Sequence, residues 1–500
     1  MKAVILAAGV GSRLRPLTNE IPKALVKVQG KPILEYQISN YLNAGLKQKD
    51  IYIVVGYKKE LIENYLKNKY PKINIIYNDE YEHTNNMYSL YLALKELAVS
   101  SNEDIIMNNG DCIYEFNIIN RLVKSQETDV IVCDKSVYFE ESMKIKVEND
   151  RVTKISKQIP KEEAYAVSID LYKFSFESII KLKKIIEDYL KKDKNKWTEE
   201  AIQILLNQTI IKPFEITGLK WIEIDNYEDL LNAEKLFSNF TLSSKKALIL
   251  DLDGTVYLGN TPIKSAVDFI NKNWNNFKFY FMTNNTSKSK DDYVKKLKNI
   301  GIKNVSNENI VTPIDSLIDF LKKENINKIF CLGTKDFKME LIKEGIQCIE
   351  YYKPKEIDAV VVGFDTELMY EKLKIACLLL QHKHIRYFAT HTDKVCPTEE
   401  GFIPDIGSIL SLIKTATGRE PEKTFGKPNP ELIKPILSKF DNDEIAIIGD
   451  RLYTDKKLAD NLDIDFILVL SGETKIEDVQ NEMKFPKLIL KNLGELGELK

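Results

Sequence analysis

Residues 237–254 read FSNFTLSSKKALILDLDG, and the change of character across that stretch decides how the chain divides. Its first ten residues are a small, polar run of linker composition. The next eight open on apolar residues and close on two aspartates, one residue apart, and a glycine; this is a buried strand running into a turn. Before it, short apolar runs at 3–9, 51–56, 73–78, 104–110 and 129–134 alternate with amphipathic stretches at 34–45, 58–69 and 87–97. After it the alternation starts afresh. Strands alternating with helices predict a mainly parallel sheet covered on both faces. With 500 residues the chain is too long for a single core. The expectation is an α/β protein with two Rossmann-like α/β domains in tandem, 1–240 and 241–500. The second half keeps its motifs at 251–287 and 424–455 and has separate strands between them (KIFCLG, DAVVVGFD, YFATH), so an inserted α/β cap is expected at approximately 314–420.

The bulk composition excludes several classes of function. A net charge of −2, with 72 basic against 74 acidic residues, argues against nucleic acid as a partner. No apolar run is long enough to cross a bilayer, so no membrane partner is expected. Six cysteines, at 112, 133, 331, 348, 377 and 396, include no CxxC pair, which fits neither a zinc site nor a disulfide framework. The opening MKAVILAAGVG has the outline of a signal peptide, but Arg13, Arg15 and the continuing pattern read as a buried first strand. A cytoplasmic protein is expected, and a homo-oligomer is compatible with everything in the sequence.

Residues 6–25, LAAGVGSRLRPLTNEIPKAL, lead a strand into a Gly-rich turn whose backbone N–H groups suit a polyphosphate. Gly9 and Gly11 remove Cβ where a ligand must approach, and Arg13 and Lys23 supply positive charge. A dinucleotide-binding turn is the rival reading; Leu14 occupies its third glycine position, and no acid ends a second strand at the required distance. Further along, Asp111 follows a strand in NGDCIY, and WIEIDNYEDL supplies Glu223 and Asp225, oxygen donors suited to a hard cation.

In the second half, alternate residues of a strand share a direction, so Asp251 and Asp253 both emerge at the strand's end. One carboxylate is placed to attack phosphorus and the other to protonate the leaving oxygen. FMTNNTSKS adds Thr283 and Asn284 as donors to phosphoryl oxygens. FGKPNPEL adds Lys427, and IAIIGDRLYTD adds Asp450 and Asp455 as metal-supporting acids.

These strings carry two resemblances. The first 240 residues resemble the nucleotidyltransferases that join NTPs to sugar phosphates or phosphoalcohols with release of pyrophosphate. VGYKKELI, which contains Gly56, and YNDEYEHTNNMYSLYLAL, which contains Asn86 and Ser89, are similar to the choline-phosphate cytidylyltransferase type. The resemblance implies that Arg13 and Lys23 hold the triphosphate, that Ala7, Ala8, Gly9, Gly11 and Gly56 form the nucleotide site, and that Asp111, Glu223 and Asp225 hold Mg²⁺. It also implies that Asn86, Ser89 and Lys157 meet the acceptor, an ordinary surface lysine being the competing reading of Lys157. In ISKQIPKEEAYAVSIDLYKFS the acid before that lysine is Ser156, and SID replaces the glycine after YAV; both departures point from a hexose to a smaller phosphorylated alcohol or amine.

Residues 246–480 resemble the haloacid dehalogenase superfamily, in its p-nitrophenyl phosphatase and phosphoglycolate phosphatase branch. That resemblance implies Asp251 as nucleophile, Asp253 as acid and base, Thr283, Asn284 and Lys427 on the phosphate, and Mg²⁺ held by Asp251, Asp253, Asp450 and Asp455. ATHTD stands where this branch usually reads ATNPD, placing His391 near the seam of cap and core. The combined expectation is a bifunctional, Mg²⁺-dependent enzyme. It would transfer CMP from CTP to a small phosphorylated alcohol or amine and hydrolyse a phosphomonoester, serving precursors of surface polysaccharide or lipid such as capsule. The competing readings are a hexose-1-phosphate nucleotidylyltransferase fused to a sugar phosphatase, or one half acting as a silent binding module.

Overall fold

The computed structural model describes residues 1–97, 103–398 and 400–498. It separates into two compact units, Met1–Phe237 with Gln480–Lys484, and Ser238–Val479 with Phe485–Lys500.

The first unit is built on a nine-stranded sheet. Strand β1 (Lys2–Ala7) lies parallel between β2 (Ile51–Val55) and β4 (Ile105–Asn109), and β3 (Asn74–Tyr77) extends the sheet beyond β2. Side chains of β1 alternate between the two faces: Val4 enters one apolar cluster while Ala3, Ile5 and Ala7 enter the other, so both faces are covered. Full burial of an aliphatic side chain such as Val4 or Ile5 contributes roughly 1.5–3 kcal/mol. On the far side of β4 the parallel pattern ends. The long strand β5 (Ala166–Phe174) runs antiparallel to β4 and pairs antiparallel with Val130–Asp134 and with Lys144–Glu148. Its register shifts between Ser168 and Tyr172, and Asp170 within that shift takes a left-handed φ of 56°.

The second unit contains two parallel sheets. In the core sheet, β6 (Ala247–Asp251) lies between β7 (Lys278–Met282) and β8 (Ile445–Gly449), with Ile310–Val311, Asp465–Val469 and Leu488–Leu490 completing six strands. The cap sheet is formed by the chain between Val311 and β8. Its order is Gln347–Ile349, Lys328–Leu332, Ala359–Val362, Arg386–Ala389 and Lys423–Thr424, all parallel. Asp405 starts the cap helix Ile406–Thr417 by accepting the Ile406 N–H at 2.6 Å, and Gly418 ends it in the left-handed conformation. All six cysteines are free thiols, and no helix among the described residues is long and apolar enough to cross a membrane.

Candidate active sites

In the first unit, the turn after β1 opens onto a cavity of about 340 Å³. Ala7, Ala8, Gly9, Arg13, Lys23, Asn86, Ser89, Asp111, Lys157, Glu223 and Asp225 all line it, although the sequence spreads them over more than 200 positions. At Gly9 a Cβ would meet nothing within 4 Å, so the floor beside it is open. Gly11 and Gly56, expected in the nucleotide site, are not on the wall and act from behind it. Gly11 sits at φ 66°, and a Cβ there would lie 2.9 Å from Lys23 Cβ; a Cβ at Gly56 would lie 2.7 Å from Tyr81 Cβ and 2.9 Å from the Ala8 carbonyl oxygen.

Lys23 is buried and donates to Asp111 Oδ2 and Asp225 Oδ1, each at 2.8 Å. Burial works against its charge, but those two carboxylates outweigh burial and hold its pKa above the ordinary lysine value. Two of its three N–H donors are thereby used and one remains for a ligand. Arg13 is more exposed and reaches Asp225 Oδ2 at 2.8 Å. Carboxylate oxygens of Asp111, Glu223 and Asp225 lie within 4.8 Å of one another. Burial, then the charges of Asp111 and Asp225, push Glu223 up to about 8. An all-oxygen donor set with surplus negative charge fits a hard divalent cation. Lys157 Nζ stands 4.8 Å from the centre of the Trp197 ring on the same wall, inside the cavity and not on the outer surface.

The sequence reading missed Asn109, Asp170, Trp197 and Glu199, which also line this cavity. Burial and the charges of Glu223, Glu199 and Asp111 raise the Asp170 carboxyl well above its usual range, and burial raises Glu199. SID after YAV marked the neighbourhood of Asp170; no signal in KWTEEAI distinguished Glu199 from a solvated helix acid.

In the second unit, the ends of β6, β7 and β8 converge, as expected of neighbouring strands in an open parallel sheet. Asp251 ends β6, and Lys427 touches it and donates to Asp455 Oδ1 at 2.6 Å. Burial opposes the charge on Lys427, and Asp251 with Asp455 more than compensate, so its pKa is raised. Oxygens of Asp251, Asp450 and Asp455 cluster within 4.8 Å. Asp450 Oδ2 accepts the Glu473 N–H at 2.7 Å, while buried Oδ1 has no hydrogen-bond partner. Burial, then Asp251 and Asp455, push Asp450 up to about 8; Asp455, carried in the π-helical turn Leu452–Lys456, reaches about 6 under burial, with Lys427 opposing. An orphaned buried carboxylate oxygen among three acids fits a divalent cation.

Two expectations change here. The Asp253 carboxylate is not in the acid cluster; it accepts the Gly259 N–H at 3.4 Å, and burial with the Asp251 charge raises its pKa. The Asn284 side chain is engaged within the protein: Oδ1 accepts the Lys427 N–H at 2.7 Å, and Nδ2 donates to Asp393 Oδ2 at 3.1 Å. It braces the backbone that carries Lys427. Thr283 is nearly buried and its hydroxyl accepts the Asn285 N–H at 3.1 Å. Gly254, at φ 89°, has no room for a Cβ, which would lie 2.5 Å from Asp450 Oδ2. His391 is buried, with Nε2 3.1 Å from Asp405 Oδ1 and Nδ1 3.3 Å from Thr390 Oγ1, and is a satisfied histidine of the seam.

Comparison with known proteins finds relatives for both halves of the chain. Residues 2–239 match the nucleotidyl transferase family model, residues 248–347 the haloacid dehalogenase-like hydrolase model and residues 424–496 the HAD-hydrolase-like model. The acid sugar phosphatase of Staphylococcus saprophyticus is 33% identical over 260 residues, covering 51% of this chain and 98% of that protein. A solved 4-nitrophenylphosphatase from Thermotoga maritima is 41% identical over 51% of this chain and 98% of that one, with a TM-score of 0.48. The glycerol phosphate phosphatase of Mycobacterium tuberculosis, solved with calcium, is 28% identical over 50% of this chain and 74% of that one, with a TM-score of 0.46. The chain is an enzyme that belongs to the haloacid dehalogenase-like hydrolases through its second half and carries a nucleotidyl transferase domain in its first.

Proposed function

We propose that the first unit transfers CMP from CTP to a small phosphorylated alcohol or amine, releasing pyrophosphate, and that the second hydrolyses a phosphomonoester. The observation that carries the transferase reading is the single cavity that gathers the Gly-rich turn, Arg13, Lys23, the three acids and Lys157. Arg13 and the remaining donor of Lys23 hold the triphosphate, and the open floor at Gly9 admits the nucleotide. Lys157 holds the acceptor phosphate, whose oxygen attacks the α-phosphorus in line as the bond to pyrophosphate breaks. When bound, Mg²⁺ on Asp111, Glu223 and Asp225 would offset charge on the phosphates, and Mg²⁺ on Asp251, Asp450 and Asp455 would do the same for the phosphomonoester.

In the phosphatase, an Asp251 oxygen attacks phosphorus and the ester P–O bond breaks, with Asp253 giving its proton to the departing oxygen. The raised pKa of Asp253 suits a group that must hold a proton at that moment. Water then attacks the aspartyl phosphate, Asp253 takes back a proton, and Asp251 and phosphate separate. Lys427 balances the charge on Asp251 throughout, held in place by Asp455 and Asn284.

The match to acid sugar phosphatases favours a sugar phosphate for the second site and keeps a hexose-1-phosphate acceptor as the competing reading for the first. The products would feed surface polysaccharide or lipid, in the cytoplasm. Purified protein with Mg²⁺, each of four NTPs and a panel of phosphoalcohols and hexose 1-phosphates, followed by pyrophosphate release, tests the first reaction. CTP with a phosphoalcohol is the expected pair; strict preference for UTP or dTTP with a hexose 1-phosphate would overturn it.

A further inference from the structure

Asp253 of the second unit is held by a turn. Shortly after it the chain forms a small antiparallel hairpin, Tyr257–Leu258 against Thr261–Pro262, and Gly259 stands at its bend with a left-handed φ of 56°. The Gly259 N–H reaches Asp253 Oδ1 at 3.4 Å, and the Gly259 carbonyl oxygen accepts from Lys296 Nζ at 2.8 Å. One residue is thus held at both of its polar atoms, by the acid on one side and by a lysine on the other. The hairpin has little else to fix it. Leu258 is 48% exposed, Thr261 and Pro262 are exposed, and so short an antiparallel ladder is weak by itself.

Lys296 comes from the helix Lys290–Asn299, where its neighbours Lys295 and Lys298 are exposed. A lysine on a helix surface ordinarily keeps its ammonium in water. Lys296 is half-buried instead: its Nζ lies 3.7 Å from the centre of the Tyr257 ring, and its hydrogen bond goes to a carbonyl and not to a carboxylate. Burial works against its charge, and the acid acting in favour of that charge is Asp253. The chemistry gives this arrangement a purpose. An acid displaced by about 1 Å from the atom it must protonate can lose about 10²-fold in rate. That loss depends on the leaving group, because p-nitrophenolate departs as a stable anion whereas an alkoxide needs the proton. We propose that Lys296 is a positioning residue of the phosphatase, which through the Gly259 turn sets Asp253 against the departing oxygen and so controls the cleavage of alkyl phosphates, sugar phosphates among them, more than that of aryl phosphates. This rests on the phosphatase mechanism above and adds to it the lysine that aims the acid.

The test uses the full chain with Mg²⁺ and two kinds of substrate, p-nitrophenyl phosphate and the faster of glycerol 3-phosphate and glucose 6-phosphate. Phosphate release gives kcat/KM for each, which reads the steps up to departure of the alcohol or phenol. Lys296→Met and Lys296→Gln, two neutral replacements, should each lower kcat/KM for the alkyl phosphate by about tenfold or more and that for p-nitrophenyl phosphate by less than about threefold. The ratio of the two values is the quantity compared, because a smaller folded fraction lowers both alike and leaves the ratio unchanged. Lys296→Arg keeps the charge and N–H donors and should hold the ratio within about threefold of wild type. Neutral variants that slow both substrates alike or neither, or an arginine variant with a ratio as low as theirs, would overturn the proposal and leave the phosphatase reading standing. A wild type that hydrolyses p-nitrophenyl phosphate alone would also overturn it, since no acid would then be placed for an alkoxide. Phosphate released from none of the substrates by the wild type would overturn the phosphatase reading itself, and the proposal with it.

Discussion

Lys427 has Asp251 on one side and Asp455 on the other, and removing its charge leaves two buried acids facing each other. Lys427→Met should reduce phosphate release by about 10²-fold or more and lower Tm, because an uncompensated buried charge is costly; unchanged phosphatase kinetics would contradict the role given to it. The acids respond to pH in a definite direction. Asp450 and Glu223 both titrate at about 8 in the fold, whereas unfolded carboxyls lose their proton near about 4. Between those values the folded chain holds protons that the unfolded chain has released, so metal-free protein loses stability as pH rises through that window. Mg²⁺ binding requires the deprotonated forms, so the rise in Tm on adding Mg²⁺ should grow from about pH 6 to about pH 8.5. A shift that does not vary with pH would contradict this. Asp251 and Asp450 were legible in the sequence because each ends or follows an apolar run, and Lys427 because it stands in the string FGKPNPEL. Asp170 and Glu199 were not: what marks them is a place on the cavity wall, which exists only once β5 and the helix Thr198–Leu205 are folded around the same cavity as the turn after β1.

Among the elements, the turn between β1 and Lys23 leaves no room for a side chain at Gly11. Gly11→Ala would combine an unfavourable φ of 66° with a Cβ placed 2.9 Å from Lys23 Cβ. The expected result is a loss of about 1–2 kcal/mol in stability and a several-fold fall in pyrophosphate release, with phosphate release unchanged. Equal damage to both activities would mean that the turn does not serve the first site alone. Periodicity located β1, β2, β3 and β4 because each is a continuous apolar run bounded by turn residues. It could not show that β5 runs antiparallel to β4, a pairing between distant residues such as Leu171 and Asn108 that leaves no local pattern. The mainly parallel sheet that was expected is therefore mixed beyond β4, and the shifted register around Asp170, which lines the cavity, lies in that antiparallel part.

At the scale of the whole molecule, one chain carries a site that would consume a phosphomonoester and another that would destroy one. If both preferred the same compound, each turnover of the second would remove substrate from the first. The phosphatase is therefore expected to hydrolyse the transferase acceptor with a kcat/KM at least about tenfold below that for its best sugar phosphate, measured on the full chain; equal values would contradict a division of labour. The most direct test of two independent active sites is a crossed pair of variants in the full-length protein, Asp251→Asn and Lys23→Met, with pyrophosphate and phosphate release measured for each. Asp251→Asn should abolish phosphate release and keep pyrophosphate release near wild type, and Lys23→Met should do the reverse. Loss of both activities in either variant, or retention of phosphate release by Asp251→Asn, would contradict the account.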